Sequence, residues 1–312
     1  MRKRGYLLSI FAVLILISGC AETEMEEESL PKVEDILSET EIEEMEQTPI
    51  EEPIISEEPV IPEEPEVLEE QVVEETEDPN LIAHWKFDDD GMDSAKSNHG
   101  NIIGGAIFSQ GKLGKALYFD GVDDYVDFSQ ETVDEIGSLS QGTIAFWFNY
   151  ESLLDKQTLM PIFYIGMESG ADNMYLIEIG HSAGDGATSS PNPNDKKIYS
   201  TWIKNNREPF LCYDSTNNVE EDKWHHFAVV VGDDGNTGYL NGVEITNRDY
   251  NFGDANAKSF LNSIPVKEQL TLGHGRSSFM ISPDFVYYKG YLDDVRIYNK
   301  PLSSDEINEL MQ

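Results

Sequence analysis

From Asn80 onward the chain is a succession of short β-branched and aromatic runs broken by clusters of Gly, Asp and Asn. The runs are Leu81–Phe87, Ala116–Phe119, Tyr125–Phe128, Thr143–Tyr150, Met174–Ile179, His225–Val231, Thr237–Leu240, Gln269–Leu272 and Tyr291–Tyr298. Several alternate apolar and polar residues at period two, which is the pattern of a half-buried strand. Asp120-Gly121-Val122-Asp123-Asp124 supplies a turn between two runs, and Asn241-Gly242 is a hairpin dipeptide. Many short strands with almost no helix predict an all-β, two-sheet antiparallel sandwich. One helix is expected, at the C-terminus. There Ser303 and Glu306 form a capping box, and Ile307 and Leu310 share a face.

What precedes this region cannot join its core. Residues 21–79 hold no Gly and no aromatic residue, and they carry 25 acids against one Lys. Glu-Glu-Pro recurs every sixth residue at 51–53, 57–59 and 63–65, with a decayed copy at Glu69-Glu70-Gln71. Proline at that spacing breaks helix and sheet, and paired glutamates repel and extend the chain. The segment is expected to be a disordered linker, a stalk reaching at most roughly 180 Å at 3.1 Å per residue. Ahead of it, Arg2-Lys3-Arg4 and an apolar run from Tyr6 to Ile17 have the form of an export signal. Ile17-Ser18-Gly19-Cys20 resembles a prokaryotic lipobox, which implies a lipid on Cys20 and anchorage to a membrane outside the cytoplasm. The expected division is therefore signal peptide 1–20, linker 21–79 and folded domain 80–312.

Sixty acids against 21 bases give a net charge of −39, which makes the chain a poor candidate for binding nucleic acid or anionic lipid headgroups through charge. Two cysteines exclude a disulfide scaffold and a cysteine-built zinc site. With Cys20 lipidated, Cys212 is alone and is expected to be a small buried hydrophobe.

Within the folded region, LIAHWKFD (81–88), GKLGKALYFDGVDDYV (111–126), TIAFWF (143–148), WHHFA (224–228), YLNG (239–242) and GYLDDVRIY (290–298) occur in one order. Together they resemble the laminin-G-like, concanavalin A-like jelly-roll domain. The resemblance implies a jelly roll whose first and last strands pair. It also implies a structural Ca²⁺ held by an Asp at the position of Asp293 and by carbonyls of the loop around 108–112. Asp88, Asp293 and the Gly111 carbonyl are the expected metal ligands, since hard oxygen donors suit calcium. Asp88, Asp89, Asp90 and Asp93 lie in the same acidic run, directly after the first strand. Trp85, Trp147 and Trp224 sit in family motifs and are expected in the core.

The same fold hosts glycan hydrolases, whose retaining members place two carboxylates about 5 Å apart. The best acidic strand here, Tyr175–His181, offers only Glu178, with Leu176 and Gly180 as its same-face neighbours. Glu178 is expected to be an exposed strand residue. His225 and His226 are adjacent on a strand and point to opposite faces, so they cannot share one ion. No enzyme is expected. Residues 181–223 depart most from the family pattern and are expected to be an elaborated loop with an inserted strand or hairpin. Trp202 within it is the candidate ligand-binding platform, with Tyr250, Phe252, Phe279 and Tyr288 as further loop or edge aromatics. The expected function is surface recognition of carbohydrate. The alternative is a structural or adhesive envelope module with a protein partner, and a divergent glycosidase is third.

Overall fold

The computed structural model describes residues 78–151, 159–169, 172–181, 196–204, 208–214, 219–246, 249–276 and 286–312. The signal, Cys20 and nearly all of the linker lie outside them, as do Phe279 and the side chains of Cys212, Tyr250 and Phe252. Strands β1 (Leu81–Trp85), β2 (Gly100–Ile103), β3 (Ile107–Gln110), β4 (Lys115–Asp120) and β5 (Tyr125–Phe128) come first, followed by α1 (Gln130–Gly137). Then come β6 (Gly142–Tyr150), β7 (Leu159–Gly166), β8 (Met174–His181), β9 (Lys196–Lys204) and β10 (Glu208–Asp214). The chain continues with β11 (His225–Gly232), β12 (Gly235–Leu240), β13 (Val243–Glu244), β14 (Asp249–Phe252) and β15 (Gln269–Leu272). It ends with β16 (His274–Gly275), β17 (Val286–Tyr287), β18 (Lys289–Tyr298) and α2 (Ser304–Glu309).

The first sheet has the order β13-β12-β11-β6-β18-β4-β3, with β1 also paired to β18. The second has the order β14-β10-β9-β8-β7-β15-β5-β2. The terminal strands pair antiparallel as expected, with Ala83 opposite Ile297 and Trp85 opposite Val295. Their inward side chains are fully buried. Period-two alternation sends Leu117, Phe119, Phe146, Phe148, Phe227 and Val229 inward from one sheet. Phe163, Ile165, Tyr175, Ile177, Leu270 and Leu272 meet them from the other. Trp85 and Phe128 join the two layers, with ring centroids 4.6 Å apart, and the Trp85 indole N–H donates to the Asn98 carbonyl at 2.6 Å. Each such ring contributes about 1.5–3 kcal/mol by leaving water.

Two local features were unequally legible. The Ser303–Glu306 capping box forms, and Ile307 is buried beside partly buried Leu310. Helix α1 was not expected. Ser129 caps it by accepting the Thr132 amide, and Val133 and Ile136 anchor it. Asn241 and Gly242 adopt φ of +53° and +75°, the left-handed pair that a tight hairpin requires. Among the described residues, no helix is long and apolar enough to cross a membrane.

Candidate functional site

The expected metal residues come together where the terminal strands pair. A cavity of about 730 Å³ is lined there by His84, Lys86, Asp88, Leu113, Gly114, Asp293, Asp294 and Arg296, among others. Strict alternation would send Asp293 and Asp294 to opposite faces. Instead β18 shifts register between Asp293 and Arg296, and Asp294 takes φ of +54°, so both aspartates line the cavity.

The two do different jobs. Asp294 Oδ1 lies 2.6 Å from His84 Nε2 and accepts from Arg296 Nη2 at 3.0 Å, forming a buried charge cluster. Asp293 is wholly buried. Its Oδ2 accepts the amides of Lys112 and Leu113 at 2.8 Å each, and its Oδ1 has no hydrogen-bond partner. Burial pushes the Asp293 carboxyl up to about 7, the two amides oppose that, and the charges of Asp294 and Asp88 add to it. Gly111 lies against this carboxylate, because a Cβ there would come within 2.7 Å of Oδ2 and 2.5 Å of the Lys115 carbonyl. Asp88 Oδ1 accepts the Lys115 amide from the far end of the same loop.

The rest of the acidic run is occupied elsewhere. Asp93 accepts four backbone amides (His84, Ala95, Lys96 and Asn98), Asp90 accepts that of Met92, and Asp89 pairs with Lys115. What remains at the cavity is Asp293, with its orphaned buried oxygen, and Asp88, hard oxygen donors of the kind a cation such as calcium takes. A second acidic group, Asp120, Asp123 and Asp124, serves its turn. Asp124 accepts the Asp120 amide and Asp120 accepts that of Val122.

Trp202 requires a correction. It lies on β9, opposite Tyr175 of β8, and faces the core with none of its surface exposed. Its ring lies 4.2 Å from that of Tyr175. The sequence 181–223 does contain a hairpin, since β9 and β10 pair and extend the second sheet, and that pairing turns Trp202 inward. Tyr288 is likewise core, and Glu178, expected to be exposed, is fully buried. Pro161 and Tyr199 stand opposite Glu178, so neither adjoining strand places a second carboxylate across from it. Trp224 reverses the expectation in the other direction, being half-buried rather than core. His225 and His226 do face opposite ways: His225 stacks toward Phe148 of the core, and His226 lies against Trp147 on the outer side.

The outer face of the second sheet holds aromatic residues that the sequence reading passed over. Val126 and Phe128 point into the core, so Tyr125 and Asp127 point out, half-buried. The Tyr125 ring lies 4.2 Å from that of His274, and Tyr287 stacks on His274 from another strand at 5.4 Å. Burial, with an added push from the Glu168 charge, raises the Asp127 carboxyl; hydrogen bonding to the Phe128 backbone opposes it. Arg276 donates to the Glu168 carbonyl at 2.7 Å. The signal was present in the alternation of Tyr125–Phe128, whereas Tyr287 carried none.

Among solved structures, domain 4 of AbnA, an extracellular arabinanase from Geobacillus stearothermophilus, in complex with arabinotriose, superposes with a TM-score of 0.50 at 22% identity. The match covers 75% of this chain and 98% of that one. The binding domain of botulinum neurotoxin DC in complex with rat synaptotagmin II superposes with a TM-score of 0.50 at 16% identity, covering 74% and 51%. A Ruminococcus gnavus sialidase module, CBM40 bound to α2,3-sialyllactose, gives 0.46 at 15%, covering 63% and 96%. No curated protein matches the sequence. The family model of the concanavalin A-like lectin/glucanases superfamily matches residues 120–308, more than half of the sequence. With its two antiparallel sheets and paired terminal strands, the chain belongs to that superfamily.

Proposed function

We propose that this protein is a non-catalytic recognition module that binds carbohydrate and is displayed outside the cytoplasm on a lipid at Cys20 and the acidic linker. The observation that supports it is the Tyr125–His274–Tyr287 ring cluster, in which Tyr125 stands beside Asp127 on the outer face of the second sheet and the other two rings come from the separate β16–β17 pair. Half-exposed rings offer the apolar C–H faces of a sugar a surface, and neighbouring polar groups fix its hydroxyls. On the two strands that flank Glu178, the residues across from it are Pro161 and Tyr199, neither of them the second carboxylate that glycoside cleavage uses. Calcium, held by Asp293, Asp88 and a carbonyl at Gly111, would neutralise the buried carboxylate and tie the last strand to the loop before β4. Its part is structural.

The test is a glycan array probed with the full chain. Binding that falls about tenfold in Tyr125→Ala and Tyr287→Ala, the scale of one lost aromatic contact, supports the reading. Binding untouched by both substitutions contradicts it, and polysaccharide cleavage abolished by Glu178→Gln would restore an enzyme. The adhesive alternative draws support from the neurotoxin binding domain of the same fold, which is described in complex with a protein. An empty array together with recovery of one envelope protein would favour it.

A further inference from the structure

We propose that the outer face of the first sheet is a second, separate carbohydrate-binding surface. Cross-strand register places Asn149 of β6 opposite Tyr291 of β18, and Tyr291 opposite Tyr118 of β4. Ile107 of β3, 59% exposed, continues the line opposite Tyr118. Trp224, immediately before β11, closes its other end, with its ring 6.1 Å from that of Tyr291. The Tyr291 and Tyr118 rings are 4.8 Å apart. Alternation accounts for the row, because Leu292, Leu117 and Phe148 beside these residues all point into the core. The three rings are half-buried, so each keeps surface open to solvent.

The polar chemistry of this face selects the ligand. Asn149 Oδ1, an acceptor within the row, and Trp147 Nε1, a donor one register step away, are both buried without a hydrogen-bond partner. Lys112 arches over Trp147, its Nζ 4.8 Å from the ring, and this exposed side chain is free to swing aside. Buried polar atoms left unpaired are costly, and a ligand that completes them recovers that cost. Hydroxyls suit both, since a hydroxyl can donate to the amide oxygen or accept from the indole N–H. Sugars combine such hydroxyls with apolar faces that lie on rings. At the rim, Glu151 accepts from the Tyr118 hydroxyl and pairs with Lys289, so neither carries an uncompensated charge for an ionic partner. The occupant is therefore a neutral oligosaccharide. The linker of this chain, with its paired glutamates, lacks hydroxyl-bearing rings. This face lies on the opposite sheet from Tyr125, whose ring cluster includes Tyr287 of the β16–β17 pair, so one molecule would hold two glycan chains and gain retention on a polysaccharide surface by avidity.

The experiment uses the full chain on an array of neutral plant and bacterial oligosaccharides and on insoluble polysaccharide. Trp224→Ala and Tyr291→Ala are compared with Tyr125→Ala and Tyr287→Ala. Trp224→Phe is the fold-preserving control that keeps a ring. We expect at least one neutral glycan to bind about tenfold more weakly with Trp224→Ala and Tyr291→Ala. Trp224→Phe should retain that binding, and retention on the insoluble surface should drop when either face is altered. Signals lost only through Tyr125→Ala or Tyr287→Ala overturn this proposal and leave the second-sheet reading standing. Signals lost only through Trp224→Ala and Tyr291→Ala support it against that reading. An array with no signal overturns both.

Discussion

The two outer faces of the sandwich share one core and differ in what closes them. On the first sheet, α2 packs Ile307 and Leu310 against Ala145, Ala228 and Tyr298 at one end, and the 111–115 loop folds over Asp293 at the other. Between them lie unpartnered polar atoms of Trp147, Asn149, His226 and Asp293. On the second sheet the outer face mixes an apolar cluster of Tyr164, Met174, Leu176 and Ile203 with buried Glu178, Lys197, Thr201 and Thr271, and His274 and Arg276 are buried in the segment after β15. A strand's inward residues are dictated by the core, whereas its outward residues are set by whatever loop, helix or ligand lies over them.

The largest effect should erase the comparison altogether. Trp85→Ala removes the ring that joins the layers and should cost about 3–5 kcal/mol in denaturant unfolding, with ligand binding at both faces lost together. A cost below about 1 kcal/mol would mean that the terminal strand is not part of the common core. Next is acid. Burial pushes His226, on the first face, and His274, in the segment after β15, down to about 4 from 6.5. The fold holds both neutral, so their stabilisation is complete above pH 6.5 and is lost as pH falls toward 4. Each contributes on the order of 3 kcal/mol at most. Thermal melts should fall across that window, and His226→Gln should remove part of the slope. A melting temperature that stays flat between pH 6.5 and 4 would contradict the burial of both imidazoles.

Effects confined to the first face follow. Asp294→Ala leaves Arg296 without its carboxylate and should cost about 3 kcal/mol, as breaking a buried pair does. Calcium at 100 times its Kd should stabilise the protein by about 2.7 kcal/mol, a gain that Asp293→Asn abolishes. An equal gain in that variant would place the ion elsewhere. The smallest effect is Lys112→Ala. It should cost about 0.5–1 kcal/mol and red-shift Trp147 emission as water reaches the indole.

Much of the fold was legible in the chain, and most of the site was not. The pairing of Leu81–Trp85 with Val295–Tyr298 followed from family motifs and from matching alternation, because inward residues obey one shared core. The gathering of Asp88 and Asp293 was legible for the same reason, since both adjoin those strands, whereas the nearness of Gly111 came only from the family resemblance. Trp202 was misread because a ring in an unfamiliar insertion looks exposed until the register of β9 against β8 turns it inward. Consecutive Asp293 and Asp294 reach one cavity only through a bulge, which period-two reasoning does not anticipate. Tyr287 meets Tyr125 across more than 160 positions of sequence, and no local pattern records that meeting.

The most direct measurement is a crystal structure of the protein grown with an oligosaccharide that scores on the array. The account predicts an intact sugar chain lying on Tyr125 and Tyr287, with its hydroxyls toward Asp127. A chain seated at Glu178 and cut there, or both tyrosines bare while the sugar sits outside either sheet face, would contradict it.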